Sequence, residues 1–245
     1  MRASRTYGSV RGARDEKRVP TATRPTALAT AAAAVLGTQP LAGAIPGRYS
    51  NEFPDQPTGQ TMANVVAICG SLRKGSFNRQ LMTASMGLGP EGMTFTEAPS
   101  FGKLPIYNFD DQQSTGFPKD SDALHEAVKA ADAVLIVSPE YNWSIPAGLK
   151  NAIDWLSRYK EVSFKDKPVC IQSTAGGLLG GARMQYHLRA ALLAIDAQVF
   201  GKPEVIVSMA AQKFTDGALK DQGAIDLIKQ QLAAFGKFIE RVKTR

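Results

Sequence analysis

Residues 65–88 read as three consecutive pieces. An apolar run, Val65-Val66-Ala67-Ile68-Cys69, leads into a short polar loop, Gly70-Ser71-Leu72-Arg73-Lys74-Gly75-Ser76-Phe77, and then a helical pattern over 78–88. A strand that turns through a polar loop into a helix start binds anions, because the first-turn N–H groups are unpaired and the macrodipole is positive there. Ser71 and Ser76 bring hydroxyls, and Arg73 brings a guanidinium able to grip two phosphate oxygens. Asn78 offers either a cap or one more donor. The loop contains neither G-x-x-x-x-G-K-[ST] nor G-x-G-x-x-G, so it predicts neither a magnesium-nucleotide site nor a dinucleotide pyrophosphate site. It suits a terminal monophosphate such as that of FMN. The competing reading is a solvated turn with an ordinary cap.

The rest of the chain sets that loop in a sheet. Residues 93–97 alternate as a short strand, and 98–118 form an irregular stretch broken by Pro99, Pro105 and Pro118. A helix is expected over 119–131. The run Ala133-Val134-Leu135-Ile136-Val137 has the continuous apolar character of a strand covered on both faces. After the loop 138–145 come a helix over 146–157, a fourth strand over 169–173, a Gly-rich loop 175–181 and a helix over 182–195. A fifth strand, 205–209, and a last helix, 223–242, complete the pattern. Five strands alternating with five helices predict an α/β domain whose mostly parallel sheet has order 2-1-3-4-5 and helices on both faces.

In that order a ligand lies where the strand sequence reverses, outside the carboxyl ends of the first and third strands. The Ser/Arg loop and Pro139-Glu140-Tyr141-Asn142-Trp143 both fall there. A flat heterocycle needs polar atoms along one edge and apolar cover over its rings, and this second loop can offer both. The alternative is a surface turn whose aromatics plug a helix interface. The glycines at 176, 177, 180 and 181 allow close approach of backbone to a ring, or form a lid. Arg183 and Tyr186 then face the site or a partner subunit.

Composition narrows the remaining options. Residues 1–61 hold eight basic and four acidic side chains, so most of the net +7 lies there. The remaining +3 over 62–245 is too weak to predict a nucleic-acid partner. No apolar run reaches the roughly 20 residues a bilayer span needs, so no membrane partner is expected. Residues 1–61 are expected to be a disordered extension: a targeting peptide for an organelle or export, or, as we favour, a segment read from a start upstream of Met62. Cys69 and Cys170 sit on strands that are not neighbours in the expected order, roughly 9–10 Å apart and too far to bridge, which fits a reducing, cytoplasmic setting. His125 and His187 lie on different helices with no nearby nucleophile, so they read as structural or solvated, and no metal site is predicted. With so few convergent acids, bases and nucleophiles, an enzyme of this sequence would rely on a cofactor for its chemistry.

Four motifs in this order, Gly70 to Asn78, Pro139-Glu140-Tyr141-Asn142, Gly148 to Arg158 and Gly180-Gly181-Ala182-Arg183, resemble the NADPH-dependent FMN reductase family, and within it the bacterial chromate and quinone reductases. The resemblance covers residues 64–243. It implies a flavodoxin-like three-layer sandwich, bound FMN, and a homodimer or homotetramer. It implies reduction of quinones by NADPH or NADH through flavin N5 in two-electron, ping-pong fashion, with chromate and other acceptors reduced as well. By motif match, Ser71, Arg73, Ser76, Phe77 and Asn78 would hold the phosphate. Pro139, Glu140, Tyr141 and Asn142 would line the isoalloxazine, with Ser173 and Gly176 approaching from the fourth strand. Tyr141, Arg183, Tyr186 and Glu204 would form a polar network between subunits, with Arg183 drawing in anionic substrates. Trp143 stands where the family usually has tyrosine. No side chain is expected to act as nucleophile. Rival expectations are a reductase that releases free reduced flavin and a flavodoxin-type electron carrier, although carriers are usually strongly acidic and this domain is not.

Overall fold

The computed structural model describes residues 63–244. Its centre is a parallel sheet built from β1 (Ala63–Cys69), β2 (Met93–Glu97), β3 (Ala133–Val137) and β4 (Pro168–Thr174), with two short segments, β5 (Gln198–Val199) and β6 (Val205–Val207), sharing the position beyond β4. The order is β2-β1-β3-β4-β5, the 2-1-3-4-5 arrangement expected for a flavodoxin-like fold. Cys69 on β1 and Cys170 on β4 are free and buried, with β3 between their strands.

Strand alternation divides the core into two. Val65, Ala67, Cys69, Leu135, Val137 and Cys170 point to one face, and Val66, Ile68, Val134, Ile136, Val169 and Ile171 to the other. The first face is covered by α1 (Phe77–Gly87), through Leu81 and Met82, and by α7 (Gln222–Lys243), through Ile228, Leu232, Phe235 and Ile239. The second is covered by α3 (Lys119–Ala130), α4 (Ala147–Leu156) and α5 (Ala182–Leu193). Burial on both faces is why these strands lack an apolar–polar alternation.

Three features depart from the sequence reading. The stretch 98–118 contains a short helix, α2 (Phe109–Thr115), capped by Asn108. None of its residues is buried, so it has no apolar stripe to betray it. A one-turn helix, α6 (Ala210–Lys213), and a hairpin of β7 (Phe214–Thr215) and β8 (Ala218–Leu219) follow the sheet. The hairpin turns at Asp216-Gly217, both at positive φ, which is the dipeptide such a turn demands. The fifth strand is broken. β5 pairs with Pro168 and Val169, β6 pairs with Gln172 to Thr174, and the intervening Phe200–Glu204 segment contains Pro203, which has no N–H to give a ladder.

The break is repaired by side chains. Gln231 Nε2 donates to the Pro203 carbonyl at 2.8 Å, and Arg189 Nη1 donates to the Phe200 carbonyl at 2.7 Å. Gln231 Oε1 in turn accepts from Gln172 Nε2 at 2.9 Å, and Gln172 Oε1 accepts from Ser85 Oγ at 2.6 Å. This buried chain of amides links α1, β4, α7 and the broken edge.

His125 on α3 is buried and stacks on Tyr159 at 3.8 Å between ring centroids, and its Nδ1 has no partner. Burial holds its pKa below the ordinary value, and the exposed Glu126 carboxylate 3.8 Å away opposes this only in part. The folded state therefore binds fewer protons than the unfolded chain near and below about pH 6.5. The ring's contribution is fully present above that pH and is lost as pH falls toward the lowered folded value. His125→Phe preserves a stacking ring without the titration. Its melting temperature is expected to fall less than that of the wild type between about pH 7.5 and about pH 5 in thermal denaturation.

Candidate active site

Three loops, numbered first, third and fourth after the strands they follow, leave the carboxyl edge of the sheet after β1, β3 and β4, and short contacts pack them together. The Gly70 N–H donates to the Val137 carbonyl at 2.9 Å. A Cβ on Gly70 would sit 2.3 Å from Ser138 Oγ, so only glycine lets the first loop lie against the third. Ser138 N–H donates to the Gln172 carbonyl at 3.1 Å, joining third and fourth. Gly181, at φ 95°, presses on Ser173, where its Cβ would be 2.8 Å from Ser173 Cβ. Asn78 joins the first loop to the fourth: Nδ2 donates to the Thr174 carbonyl at 2.9 Å, and Oδ1 accepts the Thr174 N–H at 3.0 Å.

The first loop has the form of an anion cradle. Ser76 caps α1, its Oγ accepting the Asn78 N–H at 3.2 Å, and both Ser71 and Ser76 are buried. The N–H groups of Lys74, Gly75 and Phe77 have no hydrogen-bond partner among the described residues. Arg73 is exposed and makes no ion pair among them, and its Nη1 lies 3.9 Å from where a Gly75 Cβ would be. Its guanidinium thus stands at the loop with its charge unspent. Phe77, half-buried, packs against Phe214 of the hairpin, 5.4 Å between ring centroids.

The third loop is a tight turn. Tyr141 and Ser144 exchange backbone bonds of 3.1 and 3.0 Å, with Asn142 and Trp143 between them at φ 47° and 69°. Pro139 is buried, while Tyr141, Asn142 and Trp143 are exposed. The Glu140 side chain is only 8% exposed and does two things at once. Its Oε2 accepts the Met184 N–H at 3.2 Å at the start of α5, and its Oε1 accepts from Arg183 Nε at 2.7 Å and Nη2 at 2.5 Å. The Arg183 guanidinium then lies over the Trp143 ring, 4.2 Å from its centroid. Ser144 Oγ and His187 Nδ1 are 2.9 Å apart, so His187, one of the residues read as structural or solvated, braces this turn from an exposed position.

The fourth loop supplies room. Ser173 is fully buried and accepts from Gln185 Nε2 at 2.9 Å. Gly176 is exposed, and a Cβ there would meet no atom within 4 Å, as at Gly177. Tyr186 is exposed, and Glu204 pairs with Arg189 at 3.4 Å. Within one chain, then, Tyr141, Arg183, Tyr186 and Glu204 make no hydrogen bond to one another; Arg183 and Glu204 take other partners. A groove of about 390 Å³ between α4 and α5, floored by Ile153, Val162, Ala191 and Ile195, includes none of these site residues.

Sequence reasoning did not find Ser138, Thr174 or Gln185, whose parts are set by packing between loops distant in the chain. It also missed the capping by Glu140. One signal was present: Gly181 precedes α5 where Ser, Thr, Asp or Asn would normally cap, so another acceptor had to come from elsewhere.

FMN fits these loops on their own geometry. A phosphate would find, among the described residues, N–H groups without partners, hydroxyls and a guanidinium without an ion pair at a helix start, and a flat ring would find the open Gly176–Gly177 backbone. Fold and site together define an FMN-dependent oxidoreductase that draws electrons from NAD(P)H. The chain belongs to the family of NADPH-dependent FMN reductases, which it matches over residues 63–212. It is 48% identical over 181 residues to a quinone reductase of Escherichia coli (strain K12), covering 73% of this chain and 96% of that one. It is 43% identical over 180 residues to an NAD(P)H-dependent FMN reductase of Pseudomonas aeruginosa, with coverage of 73% and 96%. Among solved structures, the flavoenzyme NAD(P)H:(acceptor) oxidoreductase FerB of Paracoccus denitrificans superposes with a TM-score of 0.66 at 32% identity, covering 73% of this chain and 98% of that chain.

Two substitutions test the packing. Gly70→Ala drives a methyl into Ser138 and is expected to cost about 1–3 kcal/mol in urea denaturation. Glu140→Ala strips α5 of its cap and leaves Arg183 without its carboxylate, at a cost of about 2 kcal/mol in the same measurement.

Proposed function

We propose that this protein is an FMN-dependent NAD(P)H:quinone oxidoreductase, able also to reduce chromate and other acceptors. The observation that carries the reading is the first loop: a helix-start cradle whose Arg73 has no ion pair among the described residues, set against the aromatic turn after β3. When bound, FMN would supply the redox chemistry, taking a hydride at N5 from NADPH or NADH and returning two electrons to the acceptor in a ping-pong sequence.

The side chains bind and orient. Ser71, Arg73, Ser76 and Phe77 receive the phosphate, while Asn78, its amide given to Thr174 and its N–H to Ser76, holds the cradle in place and the guanidinium of Arg73 supplies the neutralising charge. Pro139, Glu140, Tyr141 and Asn142 line the ring edge, and Ser173 and Gly176 close on it from β4. Tyr141, Arg183 and Tyr186 stand on the substrate side. The Arg183 charge is matched by Glu140, so the pair presents a wall to the substrate more than a trap for anions. Donor and acceptor occupy the same exposed face in turn, and no side chain serves as nucleophile.

The quinone acceptor is supported by the relatives that bear that name. A second copy of the chain, in a homodimer or homotetramer, is supported by the exposed Leu178, Leu179 and Tyr186 beside the site. Residues 62–245 form the reductase domain and residues 1–61 an extension, which lies outside the described residues. Two buried free thiols suit a reducing cytoplasm.

The test uses full-length protein purified without added flavin. A bound-flavin visible spectrum should bleach on anaerobic addition of NADPH and recover on addition of benzoquinone. Colour lost on gel filtration would turn the reading toward a reductase that releases reduced flavin. Protein that neither retains nor takes up FMN would overturn it. Arg73→Ala is expected to raise the FMN dissociation constant about tenfold to a hundredfold, while the melting temperature of flavin-free protein stays unchanged.

A further inference from the structure

We propose that Trp143 is the specificity-determining residue for the electron acceptor: its indole is a fixed stacking face that favours fused-ring aromatic acceptors over single-ring ones. The inference rests on the reductase reading above and names the acceptor class at that same site.

Trp143 is 67% exposed, whereas the chain's other tryptophan, Trp155, is 1% exposed. An indole left in solvent at the mouth of a site forgoes the burial that normally stabilises it. It also sits at a φ of 69°, in the left-handed region, where a bulky residue is a true outlier and costs strain. Glycine or asparagine would make this turn more easily, and Asn142 takes the neighbouring left-handed position. The chain thus holds an exposed aromatic ring in a place that is unfavourable for folding, and such places concentrate at functional sites.

The ring is held still. Arg183 covers one face at 4.2 Å, and Arg183 is itself clamped by the nearly buried Glu140. His187, one turn further along α5, meets Ser144, the residue after Trp143, at 2.9 Å. Two contacts from α5 therefore hold the turn that carries Trp143, and the guanidinium on one indole face leaves the opposite face for a ligand. A prepaid orientation lets stacking count fully toward affinity. A two-ring face overlaps a two-ring acceptor over more area than a one-ring acceptor, so the preference follows from contact area.

The experiment compares full-length, flavin-loaded wild type with Trp143→Ala and Trp143→Phe, using 2-methyl-1,4-naphthoquinone and 1,4-benzoquinone at saturating NADPH. Trp143→Ala should raise KM for the naphthoquinone about five- to tenfold, with benzoquinone changed less than about twofold and kcat retained for both. Trp143→Phe, with a single ring, should fall between. As a readout apart from turnover, naphthoquinone added without NADPH should quench tryptophan emission in the wild type and do so much less in Trp143→Phe. Equal KM changes for the two quinones would overturn the inference, as would an effect confined to the KM for NADPH. A change of molecular mass in light scattering would overturn it too, by making Trp143 an interface residue. A wild type that oxidises NADPH with neither quinone would overturn the reductase reading itself, and the inference with it.

Discussion

The reciprocal pair between the Asn78 amide and the Thr174 backbone closes a gap of 96 residues with two hydrogen bonds. Both groups are buried, so each would be costly to leave unmet, and that cost fixes where α1 begins relative to the end of β4. The other loop contacts depend on the same register. Gly70 can lie against Ser138, and Gly181 against Ser173, only while the carboxyl ends of β1, β3 and β4 stay level. The helix start, the aromatic turn and the glycine loop are three surfaces of one rigid rim. Rigidity of this kind is what a site needs when its task is to hold a cofactor rather than to supply reacting groups.

Along that rim, charges are spent on structure wherever structure needs them. Glu140 gives its carboxylate to the α5 N-terminus and to Arg183, and Glu204 gives its own to Arg189. Arg73 remains without an ion-pair partner among the described residues, at the helix start where an anion is most favoured. A matched arginine at the start of α5 and one without an ion pair on the loop after β1 thus differ in how their charge is used.

The sheet was legible because each strand carries its own signal. Val65 to Cys69 and Ala133 to Val137 are apolar at every position, and the helices between them alternate regularly, which leaves few topologies open. The strand, Ser/Arg loop and helix start over 65–88 were legible for the same local reason, being contiguous in the chain. What escaped was non-local or lacked pattern. α2 buries nothing, so no periodicity marks it. The break in the last strand depends on Gln231 and Arg189 waiting elsewhere in the chain to receive its carbonyls. Glu140 caps α5 through the Met184 N–H 44 residues downstream, which no local motif records. The Asp216-Gly217 hairpin is the exception, a plain turn signal that was there to be used.

The broken edge strand has a bearing on how these molecules behave in a crowded solution. A long, straight outer strand is a template on which another chain can lay its own, and many β-rich proteins aggregate by that route. Here that side of the sheet ends in two segments of two and three residues, β5 and β6, separated by an unpaired stretch. The carbonyls of Phe200 and Pro203 in the gap already have partners in Arg189 and Gln231, and Pro203 offers no N–H. A strand arriving from a neighbour would find too short a run to grip. The interruption therefore acts as a stop on sheet growth at this edge, one of the sheet's two.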